Sequence, residues 1–190
     1  VMTLNSDVAI FRGAIEQLKH FLDEHPRTGM AIPKLINPDG TIQYSTYLFP
    51  TFWIALWRRS PLGRLPGPRK VLRAFLMADW DHADQRPIGW ALGAALFMRR
   101  AALDEVGYFD ERFFLFLEDV DLCRRFWERQ WSVEFVPTAE MVHYHQRPSA
   151  ETTSVGGYFS YPARRHIESW FKYFAKYAGA PRPPHSLRRT

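Results

Sequence analysis

The segment Glu118–Asp121 holds three carboxylates within four residues. Carboxylates this close repel one another unless a cation, an arginine or a helix N-terminus compensates them, and this crowding raises their pKa values. A raised pKa suits a general base that works near neutral pH. The alternative is an acidic helix start balanced by Arg124 and Arg125. The apolar stretch Phe113–Leu117 argues against that alternative, because it predicts that the acids emerge at the end of a buried element.

A polar turn, Asn5–Asp7, directly follows a short apolar segment that predicts a strand. Ligands of α/β proteins bind where strands end at their carboxyl side. The Asp7 carboxylate is therefore a candidate ligand for a divalent cation that neutralises a diphosphate. The competing interpretation is that Ser6 or Asp7 only caps the following helix.

His143 and His145 lie two residues apart in a second predicted strand, so they face the same side of it. One of them can complete a metal site begun by Asp7. A histidine pair without fixed partners is a weak motif, and ordinary strand histidines are the alternative.

Small residues surround Trp90 in the run Gly89–Ala95. Its glycines let the backbone approach a flat ligand closely, so Trp90 and Gly93 are candidates for contact with a sugar ring. Packing of Trp90 in the core is the alternative.

Composition narrows the class of protein. The 190 residues are 46% hydrophobic and 24% charged, which excludes a disordered tail or a fibre. A single cysteine excludes an intrachain disulfide framework and a cysteine-rich zinc site, and fits a reducing compartment. The net charge of +5 and the 16% aromatic content favour an anionic partner: a nucleic acid, a phosphorylated small molecule or a membrane surface. The chain begins at Val1 inside an apolar stretch, so we expect it to be cut from a longer protein.

Hydrophobic periodicity predicts strands that alternate with helices, which indicates an α/β layered fold. The predicted strands are 1–4, 30–36, 41–44, 90–98, 131–136 and 141–145, and the predicted helices are 10–22, 100–106, 118–129 and 158–177. Pro33 indicates a strand near a sheet edge, and Pro137 is expected to end another. We expect residues 1–157 to form one unit, from which 45–88 leaves as a long, mobile, basic and aromatic excursion. Residues 158–190 are expected to form a C-terminal amphipathic helix and a basic tail.

Several segments form a familiar series when they are taken in order. They are Leu4–Val8, Gly89–Ala94 with Arg99 and Arg100, Glu105–Phe114, Glu118–Arg125, Trp131–Pro137 and Val142–His143. This series resembles the family 2 glycosyltransferases of the rhamnosyltransferase-like branch. The resemblance covers residues 1–178, and Gly107–Arg125 is its most specific part.

The resemblance implies a GT-A fold, which is a mixed sheet flanked by helices. It also implies a metal-dependent, inverting transfer of a sugar, rhamnose being one candidate, from a nucleotide diphosphate sugar to a glycan or lipid-linked acceptor in cell-surface polysaccharide synthesis. Asp7 then matches the last Asp of the metal-binding Asp-x-Asp motif, with Asn5 at its first position. His143 matches the histidine that completes the site for Mg²⁺ or Mn²⁺.

By the same likeness, Glu118 and Asp119 match the acidic pair whose Asp is the catalytic base. A sugar hydroxyl is a poor nucleophile, so such a base must accept its proton as the new bond forms. The expected substrate-binding residues are Trp90, Gly93, Asp121, Asn5 and His145.

A GT-A domain begins with a nucleotide-binding half ahead of the metal motif, whereas this chain starts almost at that motif. We therefore expect the part C-terminal to that half, with a sheet edge exposed and with weak donor binding on its own.

The predicted helix 158–178 carries Ile167, Trp170, Phe171, Phe174 and Tyr177 on one face. Together with the basic loop 58–70 it predicts a peripheral membrane contact, and thus a cytoplasmic protein at the inner face of the cell membrane. Packing of this helix on its own domain is the alternative.

Two other functions stay open. One is a non-catalytic membrane-docking or assembly fragment. The other is a basic nucleic-acid-binding module, which the acidic cluster disfavours, so no nucleic-acid partner is expected.

Overall fold

The computed structural model describes residues 1–144 and 161–186. Its strands are β1 (Met2–Leu4), β2 (Val8–Ile10), β3 (Thr28–Ile36), β4 (Thr46–Tyr47), β5 (Arg86–Pro87), β6 (Trp90–Ala91), β7 (Ala95–Met98) and β8 (Ser132–His143). Its helices are α1 (Ala14–Glu24), α2 (Ile54–Arg59), α3 (Pro66–Phe75), α4 (Arg100–Val106), α5 (Glu118–Glu128) and α6 (Tyr161–Lys176), with a 3₁₀ turn at Pro61–Arg64. Six strands form one sheet in the order β1-β7-β3-β8-β2, with β5 also paired to β8. The two central strands, β3 and β8, are parallel, and the other pairs are antiparallel.

Prolines interrupt neither central strand, which corrects two expectations. Pro33 lies in β3, the middle of the sheet, and β8 continues through Pro137 to His143. The β3–β8 ladder shifts register at this level: Pro33 pairs with Val136, and the next residue of β3 pairs with Glu140. A bulge tolerates a residue that has no N–H to donate, so both prolines sit where regular pairing is already broken.

Helices cover both faces of the sheet, as expected for a GT-A-like mixed α/β fold. On one face α1 buries Ala14, Leu18 and Leu22 against Ala31 and its neighbours. On the other face the larger core joins residues of β3 to α4, α5 and α6, and it contains most of the buried aromatic side chains.

Residues 45–88 differ from the expected excursion. They contain β4, α2, the 3₁₀ turn, α3 and β5, and they bury Phe49, Ile54, Phe75 and Trp80. Their aromatic residues supply enough apolar surface to fold this segment onto the main core.

Three element boundaries also differ from expectation. The predicted strand 90–98 is divided into β6 and β7 by a turn. Ile10 belongs to β2 and is exposed, so α1 begins only at Ala14. The predicted strand at 41–44 is reduced to a single bridge between Ile36 and Ile42, although the expected turn before it is formed, with Gly40 at φ 82°.

The C-terminal helix α6 packs on the core through Trp170 and Tyr173, which are buried, and leaves Ile167 and Phe171 exposed. The apolar side chains predicted to share one side of this helix are therefore divided between the protein interior and solvent. Among the described residues, no helix combines the length and the apolar character needed to cross a bilayer.

Candidate active site

The acidic pair Glu118–Asp119 opens α5 directly after a strained turn. Phe116 and Leu117 both have φ 67°, the left-handed region that side chains with a Cβ avoid. Strain of this kind persists only where the surrounding structure imposes it, and it is common at functional sites. Here it sets the direction in which the first turn of α5 presents its carboxylates.

Asp119 is 8% exposed and is held by two backbone donors. The N–H of Gly93 donates to Oδ2 at 3.0 Å, and the N–H of Val120 donates to Oδ1 at 2.8 Å. Burial, and then the neighbouring Glu118 carboxylate, raise the pKa of Asp119 to about 7, although the two N–H groups oppose this shift. The carboxylate thus has a fixed orientation and a proton affinity suited to exchange near neutral pH.

Glu118 lies beside it and has no hydrogen-bond partner for Oε2 in the part of the chain that the structure describes, although that atom is buried. Burial also raises the pKa of Glu118. An unsatisfied buried oxygen is costly, so it marks a position where a substrate hydroxyl or a cation can be bound with little competition.

Asp7 and His143 come together through strand pairing. In the β2–β8 ladder Val8 pairs with His143, and the N–H of Tyr144 donates to the Asp7 carbonyl at 2.8 Å. This register brings His143 Nε2 to 3.3 Å from Asp7 Oδ1. The imidazole is 2% exposed, whereas the carboxylate side chain is 42% exposed, so the pair is open on the aspartate side.

A chain of hydrogen bonds fixes the tautomer of His143. Its Nδ1–H donates to Gln43 Oε1 at 2.7 Å, and Gln43 Nε2 donates to Asn37 Oδ1 at 3.1 Å. Asn37 Nδ2 donates to Thr41 Oγ1 at 2.9 Å, and Thr41 Oγ1 donates to Asp39 Oδ1 at 2.6 Å. Because a carboxylate only accepts, every donor in the chain points the same way. We call residues 37–43, in which this chain runs, the relay hairpin.

With its Nδ1–H donating to Gln43, His143 presents Nε2 toward Asp7 Oδ1, 3.3 Å away. The donor set, one imidazole nitrogen and one carboxylate oxygen, fits a divalent cation. A hydrogen-bond acceptor at the other imidazole nitrogen, here the Gln43 amide oxygen, orients a metal-binding histidine. No group of three or more His, Cys, Asp or Glu side chains gathers around this pair within residues 1–144 and 161–186. Remaining ligands would be water and phosphate oxygens, as Mg²⁺ prefers.

One short segment, Leu92–Ala94, binds Asp119 and also residues close in sequence to the Asp7–His143 pair. Gly93 binds Asp119, and the next carbonyl, Ala94 O, accepts from Asn5 N at 2.9 Å, two residues before Asp7. The N–H of Leu92 donates to Ser45 O at 2.9 Å, two residues after Gln43. Backbone hydrogen bonds of this segment thus connect the acid pair with the turn that carries Asp7.

Trp90 and Asp121 are placed differently from the expectation of substrate contact. Trp90 is buried, stacks on Tyr47 at 4.4 Å between ring centroids, and donates from Nε1 to Leu48 O. Asp121 is fully buried and accepts from Arg125 at 2.8 Å, Lys176 at 2.5 Å and Tyr177 at 2.7 Å. Both side chains thus connect elements of the core, and substrate contact by either stays a prediction.

The other candidates have mixed placements. Gly93 acts through its N–H, and a Cβ there would meet only ordinary contacts, the nearest 3.7 Å away at Asp119. Asn5 is exposed in the turn between β1 and β2. His145 lies outside the described residues.

Sequence reasoning missed Gln43 and its partners, and also the contact of Lys176 and Tyr177 with Asp121. The sequence does indicate the turn around Gly40, but a glutamine three residues later carries no signal of its own. Only the three-dimensional pairing reveals that it supports His143.

The family model described as glycosyl transferase family group 2 matches residues 74–179. The chain is 34% identical over 144 residues to the N-acetylglucosaminyl-diphospho-decaprenol L-rhamnosyltransferase of Mycobacterium tuberculosis, in strains CDC 1551 and H37Rv. That alignment covers 76% of this chain and 46% of the relative, so the chain spans about half the length of these curated relatives. The rhamnosyltransferase WbbL of Escherichia coli K12 is 28% identical over 89 residues, which are 47% of this chain and 31% of WbbL. The chain belongs to the family 2 glycosyltransferases, on their rhamnosyltransferase-like side.

Proposed function

We propose that this chain forms the acceptor side of a metal-dependent, inverting glycosyltransferase, with Asp119 as its catalytic base. The observation that carries the proposal is the state of Asp119: buried, oriented by Gly93 and Val120, and raised to a pKa of about 7. A purely structural carboxylate would be expected to bind a cation, as Asp121 does with Arg125.

In this mechanism the acceptor hydroxyl lies against Asp119. As its oxygen attacks the anomeric carbon of the donor sugar, its proton passes to the carboxylate, the new C–O bond forms, and the bond to the diphosphate breaks on the opposite face. One displacement with one base inverts the anomeric configuration, whereas retention would require a nucleophilic carboxylate. Glu118 keeps the proton affinity of Asp119 high through the repulsion between the two carboxylates.

Asp7 and His143 would hold the divalent cation, Mg²⁺ or Mn²⁺, which neutralises the negative charge that grows on the leaving diphosphate. This chain would present Asp7 Oδ1 and His143 Nε2 to the cation. Gln43 prevents the imidazole from rotating away.

The substrates follow from the relatives. The mycobacterial enzyme's name gives a rhamnosyl donor and an N-acetylglucosaminyl-diphospho-decaprenol acceptor. We propose a nucleotide diphosphate sugar, rhamnose being the first candidate, and a lipid-linked glycan acceptor of cell-surface polysaccharide synthesis. Because such an acceptor is anchored in a bilayer, we also propose that the protein acts at the cytoplasmic face of the membrane.

Asp119→Asn tests the base. In this protein, we expect transfer of labelled rhamnose to an N-acetylglucosaminyl-diphospho-polyprenol to fall by at least about a hundredfold, while donor affinity changes little. Asp104→Asn on α4 is the matched control, because its carboxylate is exposed and, among residues 1–144 and 161–186, binds Arg100 and Tyr108. Full activity of Asp119→Asn would overturn the assignment.

The second candidate, a non-catalytic docking fragment, shares the membrane contact but gives the acid pair no role. It predicts no rhamnose transfer by the parent protein and no effect of Asp119→Asn on any binding step.

A further inference from the structure

Exposed aromatic and aliphatic side chains occur on α6, on α2 and on the residues just before α2, where Phe52 contacts α6. The Phe52 ring contacts Phe171 and Phe174 at centroid distances of 5.9 and 5.4 Å, and Trp53 at 5.5 Å. The exposed members are Phe52, Trp53, Leu56, Ile167 and Phe171, which are 40 to 57% exposed. We call these five residues the aromatic face.

Other side chains make the buried contacts of α6 with the core. Trp170 and Tyr173 are buried there, and Trp170 Nε1 donates to Phe52 O at 3.1 Å. Scattered exposed apolar residues are ordinary, but exposed rings from two parts of the chain that contact one another at Phe52 indicate an interaction surface.

A cationic segment adjoins the aromatic face along the chain. Residues 54–75 contain six Arg or Lys residues and no Asp or Glu. Arg64, Arg69 and Lys70 are exposed, and none of them forms an ion pair within the described part of the chain. The segment is tightly folded, because a Cβ at Gly63 would lie 2.2 Å from the Trp57 carbonyl oxygen. The positive charges are thus held close to α2 and are not carried on a free loop.

Aliphatic side chains lie between these charges. Leu62 is 48% exposed and Leu65 is 52% exposed, on either side of Arg64. A nucleic acid offers phosphates and stackable bases but no aliphatic phase, whereas an anionic bilayer offers phosphates above hydrocarbon. The alternation of Leu with Arg therefore favours a bilayer.

We propose that the aromatic face, together with Arg64, Arg69 and Lys70, is the docking surface of this protein for an anionic lipid bilayer. The aromatic rings enter the headgroup region, and the cations meet lipid phosphates. This inference rests on the proposed function only for its purpose, which is to bring the active site to a membrane-anchored acceptor; the binding itself needs neither donor nor acceptor.

Co-sedimentation of the purified chain with vesicles tests the proposal without substrates. We expect binding to vesicles of phosphatidylglycerol and phosphatidylcholine at low salt, with loss at high salt and on vesicles of phosphatidylcholine alone. The double variant Arg69→Glu, Lys70→Glu should lower the affinity by about tenfold or more. The control is Arg12→Glu, Lys19→Glu, which makes the same change in charge at and just before α1, the helix on the opposite face of the sheet.

An insertion probe tests the aromatic face separately. The one native thiol, Cys123, is buried, and burial raises its pKa to about 12, so a dye reacts selectively with an introduced cysteine. A polarity-sensitive dye at Trp53→Cys should shift to the blue on anionic vesicles, whereas the same dye at Gln17→Cys on α1 should not.

Equal loss of affinity in both charge variants would overturn the proposal, as would equal dye shifts at both positions. Binding to an oligonucleotide without binding to vesicles would also overturn it. Asp119→Asn should bind vesicles as the unsubstituted protein does. A failure of sugar transfer and a failure of vesicle binding are therefore seen in separate measurements.

Discussion

The N–H of Gly93 donates to Asp119 Oδ2 at 3.0 Å, which ties the turn before β7 to the first turn of α5. Asp119 is thereby oriented by backbone and has no cationic side chain among its hydrogen-bond partners in the described residues. This arrangement fixes the carboxylate without suppressing its proton affinity.

Asp119→Asn should change how stability depends on pH. A folded-state pKa near 7, against an ordinary value of 3.8, means that protonated Asp119 stabilises the fold below about pH 4, and that this stabilisation is lost as pH rises through 7. Asparagine does not titrate, so the variant does not lose stability in this way. The free energy of unfolding of the variant minus that of the unsubstituted protein should therefore rise by about 2 kcal/mol from pH 5 to pH 8, measured by urea denaturation. A difference that stays constant with pH would contradict the raised pKa.

Gly89→Ala should destabilise the fold and Gly93→Ala should not, although both glycines lie close to β6 in sequence. A Cβ at Gly89 would lie 2.7 Å from Phe49 N and 2.8 Å from Tyr47 O, both backbone atoms, so we expect a loss of about 1–3 kcal/mol. At Gly93 the nearest atom is 3.7 Å away, and the N–H donor remains, so stability should change little. Thermal unfolding of the two variants makes the comparison, and equal destabilisation would contradict it.

Asp121→Ala should be the most damaging of the carboxylate substitutions. It removes the buried carboxylate shared by Arg125, Lys176 and Tyr177 and leaves Lys176 paired with Asp110 alone, so we expect a loss of about 3–5 kcal/mol. Asp23→Ala on α1 removes an exposed ion pair with Lys19 and should change stability far less. Chemical denaturation of both variants tests the difference.

Gln43→Leu should weaken the metal site through His143. Without its acceptor the imidazole loses its fixed tautomer, and we expect Mn²⁺ affinity to fall by about tenfold, measured by electron paramagnetic resonance of free Mn²⁺. Thr41→Val removes a more distant member of the relay hairpin and should have a smaller effect. Unchanged Mn²⁺ affinity in Gln43→Leu would show that the hairpin does not support a metal ligand.

The sequence predicts the fold class and the elements around the acidic pair because their signals are local. The helix Arg100–Val106 and its end at Gly107 match the prediction, and α5 differs from it only at its last residue. Proline misleads in the central strands, because whether a missing N–H matters depends on pairing that only the assembled sheet defines. Trp90 misleads for a similar reason: its core partner, Tyr47, lies in a segment whose composition indicates a loop.

The candidate site is predictable only in part. A run of carboxylates after an apolar stretch can be recognised in the sequence, and so can an aspartate at the end of a predicted strand. By contrast, the structural role of Asp121 requires Lys176 and Tyr177, more than fifty residues away in sequence. Two aspartates of the same run therefore have different environments: Asp119 is bound by backbone N–H groups, and Asp121 is bound by cationic and phenolic side chains.

The fastening of Lys176 to Asp121 has a mechanical consequence. α6 carries two of the proposed bilayer contacts, and Asp121, to which α6 is bound, lies two positions after the proposed base, Asp119, on α5. If the membrane holds α6, the height of the reacting carboxylate above the lipid phosphates is set by rigid protein and not by a tether. An acceptor sugar would then be reached only at a fixed distance from the membrane. The length of the diphosphate-linked headgroup would therefore decide which acceptors can reach the carboxylate.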